Sequence, residues 1–126
     1  MKRILLLFLL AAGTLTAQQP KITPLMSKDL TGIPGKEGAM ITVEFAPGEV
    51  DPVHRHNAQV FVYVLEGSVV MQAKGGKEQT LKPGDTFYES PEDVHLVGRN
   101  ASKTKPAKFL VFFVKDKGAP FLIPVK

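Results

Sequence analysis

The sequence of 126 residues contains no cysteine. This absence excludes a disulfide framework, a thiolate zinc site, an iron–sulfur cluster and a cysteine nucleophile. There is also little excess charge of one sign, because 16 Lys and Arg against 12 Asp and Glu give a net charge of +4. This charge is too weak and too scattered to predict nucleic-acid binding. The 44% hydrophobic and 22% charged fractions are typical of a globular protein and exclude a disordered chain.

The chain opens with a short hydrophobic run, and residues 1–17 are predicted to be a secretory signal peptide. Lys2 and Arg3 form its charged start, Ile4–Ala12 is apolar, and small residues lead to Ala17. The apolar part is about half of the roughly 20 residues that cross a bilayer, so we expect no membrane span. Cleavage near Ala17 predicts a periplasmic or secreted protein.

Short runs rich in β-forming residues, separated by Gly, Pro and Asn, make up most of the remaining sequence. These runs are Met40–Ala46, Val60–Leu65, Ser68–Ala73, Glu78–Leu81, Thr86–Tyr88, His95–Val97, Ala107–Val114 and Phe121–Val125. Strands at such intervals predict an all-β antiparallel sandwich or barrel, which we place at residues 39–126. Residues 18–38 are polar and contain several Pro and Gly, so we expect an N-terminal arm or loop there.

Two links between these runs are predicted to be tight turns. Glu66-Gly67 joins two of the runs directly, and Gly75-Gly76 fits a two-residue hairpin turn. Several runs are apolar at successive positions, as in VFVYVL and FLVFFV. Such strands are covered on both faces, either by a second sheet or by another subunit. The pattern alone leaves both possibilities open.

The three histidines of the chain lie in two similar passages. His54 and His56 follow Pro47-Gly48, and His95 follows Pro83-Gly84. Residues i and i+2 of a strand face the same side, so the imidazoles of the first pair project into the same space. This spacing allows two ring nitrogens to bind one metal ion.

These passages resemble the two motifs of a small single-domain cupin. The first motif is Gly, five residues, His-x-His, three or four residues, Glu, six residues and Gly, and the second leads from a Gly through a Pro-x-Gly to a His. The matching residues are Gly48, His54, His56 and Gly67 in the first motif, and Gly84 and His95 in the second. The resemblance covers roughly Met40 to Val114. It implies an antiparallel jelly-roll barrel with a metal or ligand site in its mouth. It also implies a homodimer, because dimers are common among cupins.

The first motif departs from the family pattern at its glutamate. Counting back from Gly67 places that residue at position 60, which is Val60 and has no donor atom. Gln59 is adjacent, but the alternation of a strand points its side chain away from the histidines. Only a bulge would bring Gln59 in, and no bulge signal stands beside it.

The second motif also departs from the pattern. Ser90 and Glu92 replace its Pro and Gly, and Asn100 stands one residue after the expected Asn, so we assign it no role. Glu89, Glu92 and Asp93 precede His95. One possibility is that they supply an acid, a base or a partner that orients an imidazole. The other is that they form a solvated turn, and this is the one we expect.

The sequence therefore predicts that His54, His56 and His95 form a three-histidine metal site. Neutral imidazoles suit a divalent transition metal better than Mg²⁺ or Ca²⁺, and the choice among Fe, Ni, Mn, Cu and Zn stays open. Three protein ligands leave positions for water, substrate or dioxygen. The resemblance implies, if the protein is an enzyme, an oxidoreductase of dioxygenase type acting on a small enol or phenol. No dedicated general base is evident.

A different class of function fits the same residues. The barrel is alternatively a non-catalytic module that binds or senses a small molecule without a functional metal site, or a scaffold for dimerisation. The missing glutamate favours these alternatives, and the three retained histidines favour the metal site. A small molecule is the expected partner in both the catalytic and the binding case.

Overall fold

The computed structural model describes residues 18–126, so the predicted signal peptide lies outside the described residues. This part of the chain contains ten strands and no α-helix. It accordingly has no helix long and apolar enough to cross a membrane. The strands are β1 (Lys21–Asp29), β2 (Lys36–Phe45), β3 (His54–Arg55), β4 (Ala58–Glu66), β5 (Val69–Ala73), β6 (Gln79–Leu81), β7 (Thr86–Glu89), β8 (Val94–Asn100), β9 (Ala107–Asp116) and β10 (Ile123–Pro124).

The strands form two five-stranded antiparallel sheets, in the orders β1-β2-β9-β4-β7 and β10-β3-β8-β5-β6. The inner faces of both sheets contribute to one apolar core. Val60, Val62 and Val64 of β4 face this core and are buried, whereas Phe61 and Tyr63 face outward and are exposed. The predicted all-β antiparallel fold is confirmed, and the alternation of β4 selects which side chains reach the interior.

The N-terminal segment differs from the prediction of an arm or loop at residues 18–38. It contains β1, a long edge strand that pairs with β2 from Lys21↔Glu44 to Asp29↔Glu37. Most of its side chains are exposed, so no apolar alternation marks it in the sequence. Its register shifts after Pro24. Proline has no backbone N–H, and edge strands tolerate it because one of their sides has no neighbouring strand to bond.

One of the two predicted tight links differs from expectation. The β5–β6 pairing begins at Met71↔Gln79, and residues 74–78 lie between the strands, so Gly75-Gly76 belongs to a longer loop than a two-residue hairpin. The Glu66-Gly67 link joins β4 of the first sheet to β5 of the second. This link is tight, as predicted, and it carries the chain from one sheet to the other.

This crossing requires glycine at position 67, and we expect Gly67→Ala to destabilise the protein. Gly67 has φ +68°, and an added Cβ would lie 2.9 Å from Ala107 Cα. Gly75 has a similar φ of +85° but has nothing within 4 Å of an added Cβ. Gly75→Ala should therefore cost only the left-handed strain of about 1–2 kcal/mol. Gly67→Ala should cost about 1–3 kcal/mol more for the overpacking, measured by urea denaturation. Equal losses in the two variants would contradict this account.

Candidate metal centre

The structure brings the three predicted histidines together. His54 of β3 pairs directly with His95 of β8, and His56 follows two residues after His54. All three are buried, whereas Arg55 between the first two is exposed, as the strand alternation predicts. One nitrogen from each ring lies within 4.8 Å of the others. Such a cluster has the ligand types of a transition-metal site and could hold an ion.

Backbone carbonyls fix the orientation of two of these rings. His54 Nδ1 lies 2.8 Å from the carbonyl oxygen of Pro52, and His56 Nδ1 is hydrogen-bonded to the carbonyl oxygen of Phe121. A carbonyl oxygen only accepts, so each Nδ1–H donates and each Nε2 keeps a free lone pair. This is the usual arrangement behind a metal-binding histidine, because it sets the tautomer before the ion arrives.

The carbonyl that fixes His56 comes from the C-terminal segment, which is itself held by a buried lysine. Lys115 Nζ donates to the Ala119 carbonyl oxygen at 2.7 Å and to Glu37. The same nitrogen lies 5.4 Å from the centre of the Phe121 ring, a cation–π contact. The far end of the chain therefore positions one of the three imidazoles.

Glu89 is a fourth polar group in the centre, and its position corrects the prediction of a solvated turn. The side chain is only 2% exposed. Its Oε2 lies 3.6 Å from His56 Nε2, and its Oε1 lies 3.3 Å from His95 Nδ1. The sequence also indicated no dedicated general base. This expectation is corrected, because the carboxyl group of Glu89 lies among the histidines.

Glu89 faces inward because β7 extends one residue beyond the predicted run, to Glu89 itself. Glu89 thereby shares the inward face of Phe87, while Tyr88 between them is exposed. Extending the predicted strand Thr86–Tyr88 by one residue would have found this. Glu92, in contrast, is exposed as expected.

Burial controls the protonation of the centre. Removal from water raises the pKa of Glu89 to about 7, and the nearby carboxylates of Asp93 and Asp51 add to the rise. Burial lowers the pKa of His56 to about 4 and that of His95 to about 3. These two rings are therefore neutral near pH 7, which is the form that binds metals. Their contacts with Glu89 are consequently not ion pairs.

Two buried atoms of the centre have no hydrogen-bond partner within the described residues. These are His95 Nε2 and Glu89 Oε1. A buried polar atom without a partner costs free energy, so natural proteins rarely leave one unless a water, ion or ligand completes it. The donor set and these two atoms therefore fit a divalent cation with nitrogen and oxygen ligands.

Gln59 and Asn100, each next to an expected motif position in the sequence, lie outside the metal centre. Gln59 Oε1 accepts a hydrogen bond from the exposed Tyr88 hydroxyl, so its side chain is turned away from the histidines as the alternation predicted. Asn100, to which the sequence assigned no role, is buried; its Nδ2 donates to the Ala46 and Lys105 carbonyl oxygens at 3.0 and 2.7 Å. It joins the end of β2 to the loop after β8 and therefore has a structural role.

The centre opens on an apolar cavity of about 120 Å³ between the two sheets. Its polar lining comes from the three histidines, Glu89, Asp51 and Gln19, and no Lys or Arg of the described residues lines it. The apolar lining includes Ile41, Val43, Phe45, Val60, Val62, Met71, Phe109, Val111, Phe113 and Phe121. The volume is comparable to that of an apolar cavity of about 150 Å³ that holds benzene. A small organic molecule with an apolar body therefore fits.

Comparison with known proteins agrees with the fold. The model of the family described as the cupin domain matches residues 41–113, more than half of the chain. No curated protein matches the sequence significantly. An uncharacterized conserved protein with a double-stranded β-helix domain from Klebsiella pneumoniae is 21% identical, with a TM-score of 0.65, over 88% of this chain and 89% of that one.

Two enzymes of known activity have the same fold over part of their length. An oxalate oxidase, solved with the substrate analogue glycolate, is 26% identical, with a TM-score of 0.65, over 91% of this chain and 59% of that one. A DMSP lyase from Ruegeria pomeroyi is 23% identical, with a TM-score of 0.62, over 70% of this chain and 43% of that one. The chain therefore spans less than half of the lyase and about three fifths of the oxidase.

Proposed function

The chain belongs to the cupin family, and we propose that it is a metal-dependent cupin whose His54, His56 and His95 hold a divalent transition metal beside a substrate cavity. The observation that carries this proposal is the buried cluster of three imidazoles, with one nitrogen of each within 4.8 Å of the others. Two of these rings are fixed by backbone carbonyls with Nε2 free. Such preorganisation favours metal binding over a packing role.

The reaction we propose is oxidative and of dioxygenase type, with a small enol or phenol as substrate. A bound redox-active metal would supply electron exchange with dioxygen. All three histidines act as ligands. His56 and His95 are neutral near pH 7, because burial holds the pKa of each well below that value. The apolar walls exclude water and orient the body of the substrate.

The lining of the cavity distinguishes this substrate class from that of the oxalate oxidase. A dianion such as oxalate carries two carboxylates, and burying a charge requires a partner. The described lining offers no Lys or Arg to a second carboxylate, whereas Phe113, Phe121 and Met71 offer apolar surface. A single hydroxyl or enol on an apolar body fits these groups better.

The first test of this function is elemental analysis of the protein purified without a polyhistidine tag. We expect close to one equivalent of Fe, Ni, Mn, Cu or Zn, and none in the His54→Ala/His56→Ala variant. Arg55→Ala is the matched control, because Arg55 lies between the two ligands but is exposed. The protein loaded with each metal that is found is then assayed for oxygen uptake. Catechol is the phenol probe and acetylacetone is the enol probe.

The outcomes separate the classes of function. A wild type that stays empty after reconstitution with each metal sinks the metal-dependent proposal and leaves a binding or scaffold barrel. Metal without oxygen uptake, together with stabilisation by a phenol, favours a binding or sensor module. Metal together with oxygen uptake supports the dioxygenase type.

We further propose that the protein is exported to the periplasm or beyond and acts as a homodimer. The first part is supported by the charged, apolar and small-residue order of residues 1–17. The second is supported by Phe61, Tyr63 and Tyr88, which are between 45% and 49% exposed on the outer face of the first sheet. Intact mass from cell fractions and sedimentation of the purified protein test the two parts. An unprocessed cytoplasmic chain or a monomer would contradict them.

A further inference from the structure

Two inward-facing residues on neighbouring strands are direct partners, and only one of them carries a carboxylate. Val60 of β4 stands where the first cupin motif has its glutamate, and Glu89 of β7 is its direct cross-strand partner. Both side chains are buried and both line the cavity. Side chains of such a pair have Cβ atoms only about 4.5–5.5 Å apart, so a carboxylate on either strand reaches the same region.

We infer that Glu89 supplies the carboxylate ligand to the metal, in place of the glutamate that position 60 lacks. The inference rests on the proposed metal site and adds a fourth protein ligand to it. Its Oε2 lies 3.6 Å from His56 Nε2, the nitrogen that the Phe121 carbonyl leaves free. Two ligand atoms about 2.1 Å from one ion are about 3.0–3.4 Å apart at angles between octahedral and tetrahedral. The observed distance is close to that spacing.

The surroundings of Glu89 also favour a cation. The side chain is 2% exposed, and its Oε1 has no hydrogen-bond partner among the described residues. No Lys or Arg of the described residues lines the cavity, and the buried Lys115 is already bonded to Glu37 and Ala119. A buried carboxylate is compatible with folding when it is paired with a positive charge or bound to a metal. A divalent ion on the histidines supplies that charge.

Other candidates for the fourth ligand are less well placed. Gln59 is turned outward to Tyr88. Asp51, the other acid that lines the cavity, lies 3.7 Å from His54 Nδ1. That nitrogen is bonded to the Pro52 carbonyl oxygen and is not the free Nε2. Glu89 is therefore the acid whose oxygen lies beside a free imidazole nitrogen.

The test is titration with Co²⁺, whose visible absorption spectrum depends on the number and type of its ligands. Glu89→Gln keeps the shape of the side chain and removes the ionisable group. We expect it to weaken Co²⁺ binding by about 100-fold or more, beyond the roughly 10–100-fold cost of losing a partner outside the ligand set. The Co²⁺ spectrum should also change, which a purely structural role would not produce. Glu92→Gln, an exposed acid of the following turn, should leave both readouts unchanged.

A relocation variant covers the case in which loss of Glu89 disturbs folding. Glu89→Val should lose Co²⁺ affinity, and Val60→Glu/Glu89→Val should recover most of it, because the carboxylate returns to the family's position across the same strand pair. Thermal unfolding without metal measures how far each variant is folded. Recovery of affinity by the double variant supports the ligand role.

The two proposals fail in different ways. Wild-type Co²⁺ affinity and an unchanged spectrum in Glu89→Gln would overturn the role of Glu89 and leave the three-histidine site standing. Absence of Co²⁺ binding by the wild type, or equal binding by His54→Ala/His56→Ala, would overturn the metal site itself and Glu89 with it. If the double variant is folded but binds Co²⁺ as weakly as Glu89→Val, the claim that a carboxylate at either position reaches the metal is overturned.

Discussion

Zn²⁺ will add roughly 4 kcal/mol to the free energy of unfolding when its free concentration is about 1,000 times the dissociation constant. The folded chain holds His54, His56 and His95 as a cluster, with one nitrogen of each within 4.8 Å of the others. In the unfolded chain His95 is far along the sequence from the other two, so the ion binds the folded state preferentially. Metal binding thereby becomes folding free energy.

Guanidinium denaturation at buffered Zn²⁺ concentrations measures this increment, and a chelator should abolish it. The His54→Ala/His56→Ala variant should show no increment, although its metal-free form will also be less stable because two buried side chains are truncated. The comparison is therefore between increments and not between absolute stabilities. Arg55→Ala, at the exposed position between them, should keep the full increment. An equal increment in the double variant would place the ion elsewhere.

The histidine cluster could be predicted from the sequence because its information is local or motif-based. The alternation of a strand puts His54 and His56 on one side, and their observed burial with Arg55 exposed confirms it. The pairing of His54 with His95 is long-range. Only the resemblance of two Pro-Gly-led passages to the cupin motifs indicated it, since no periodicity joins them.

Glu89 could not be placed with the same certainty, for a physical reason. Its neighbours Glu92 and Asp93 make the passage look like a charged turn, and such passages are usually solvated. The Asp93 carboxylate does accept the Ser90 backbone N–H at 2.7 Å, so the turn exists one residue later than expected. The pairing Val60↔Glu89 that carries the side chain inward depends on the β4–β7 register, which no local pattern specifies.

The edge strand β1 was missed because its sequence has no alternation of apolar and polar residues. A strand becomes visible in a sequence when one face is buried, and most side chains of β1 are exposed. Its backbone is nevertheless ordered by the ladder to β2. Ile22 of this strand, with Gln19 and Pro20 before it, also lines the cavity. The segment predicted to be an arm therefore contributes to the wall around the candidate site.

Phe113→Ala will lower the free energy of unfolding by about 3–5 kcal/mol, the usual cost of emptying a buried aromatic site. Phe113 is 2% exposed, and its ring centre lies 5.5 Å from that of His56 and 5.1 Å from that of Phe121. Phe112, the adjacent residue of β9, faces outward and is only half-buried. Phe112→Ala should therefore cost less, and urea denaturation of both variants measures the difference.

The same substitution tests whether the cavity is the ligand site. Phe113 lines the cavity beside His56, so its truncation enlarges the space next to the candidate metal. We expect Phe113→Ala to favour 2-naphthol over phenol relative to the wild type, measured as the shift in unfolding temperature at equal ligand concentration. Phe112→Ala removes the same ring from the outer face and should leave that preference unchanged. A preference that moves equally in both variants would show that phenols bind outside the barrel. One that moves only in Phe113→Ala would place them beside His56, where the metal is proposed to lie.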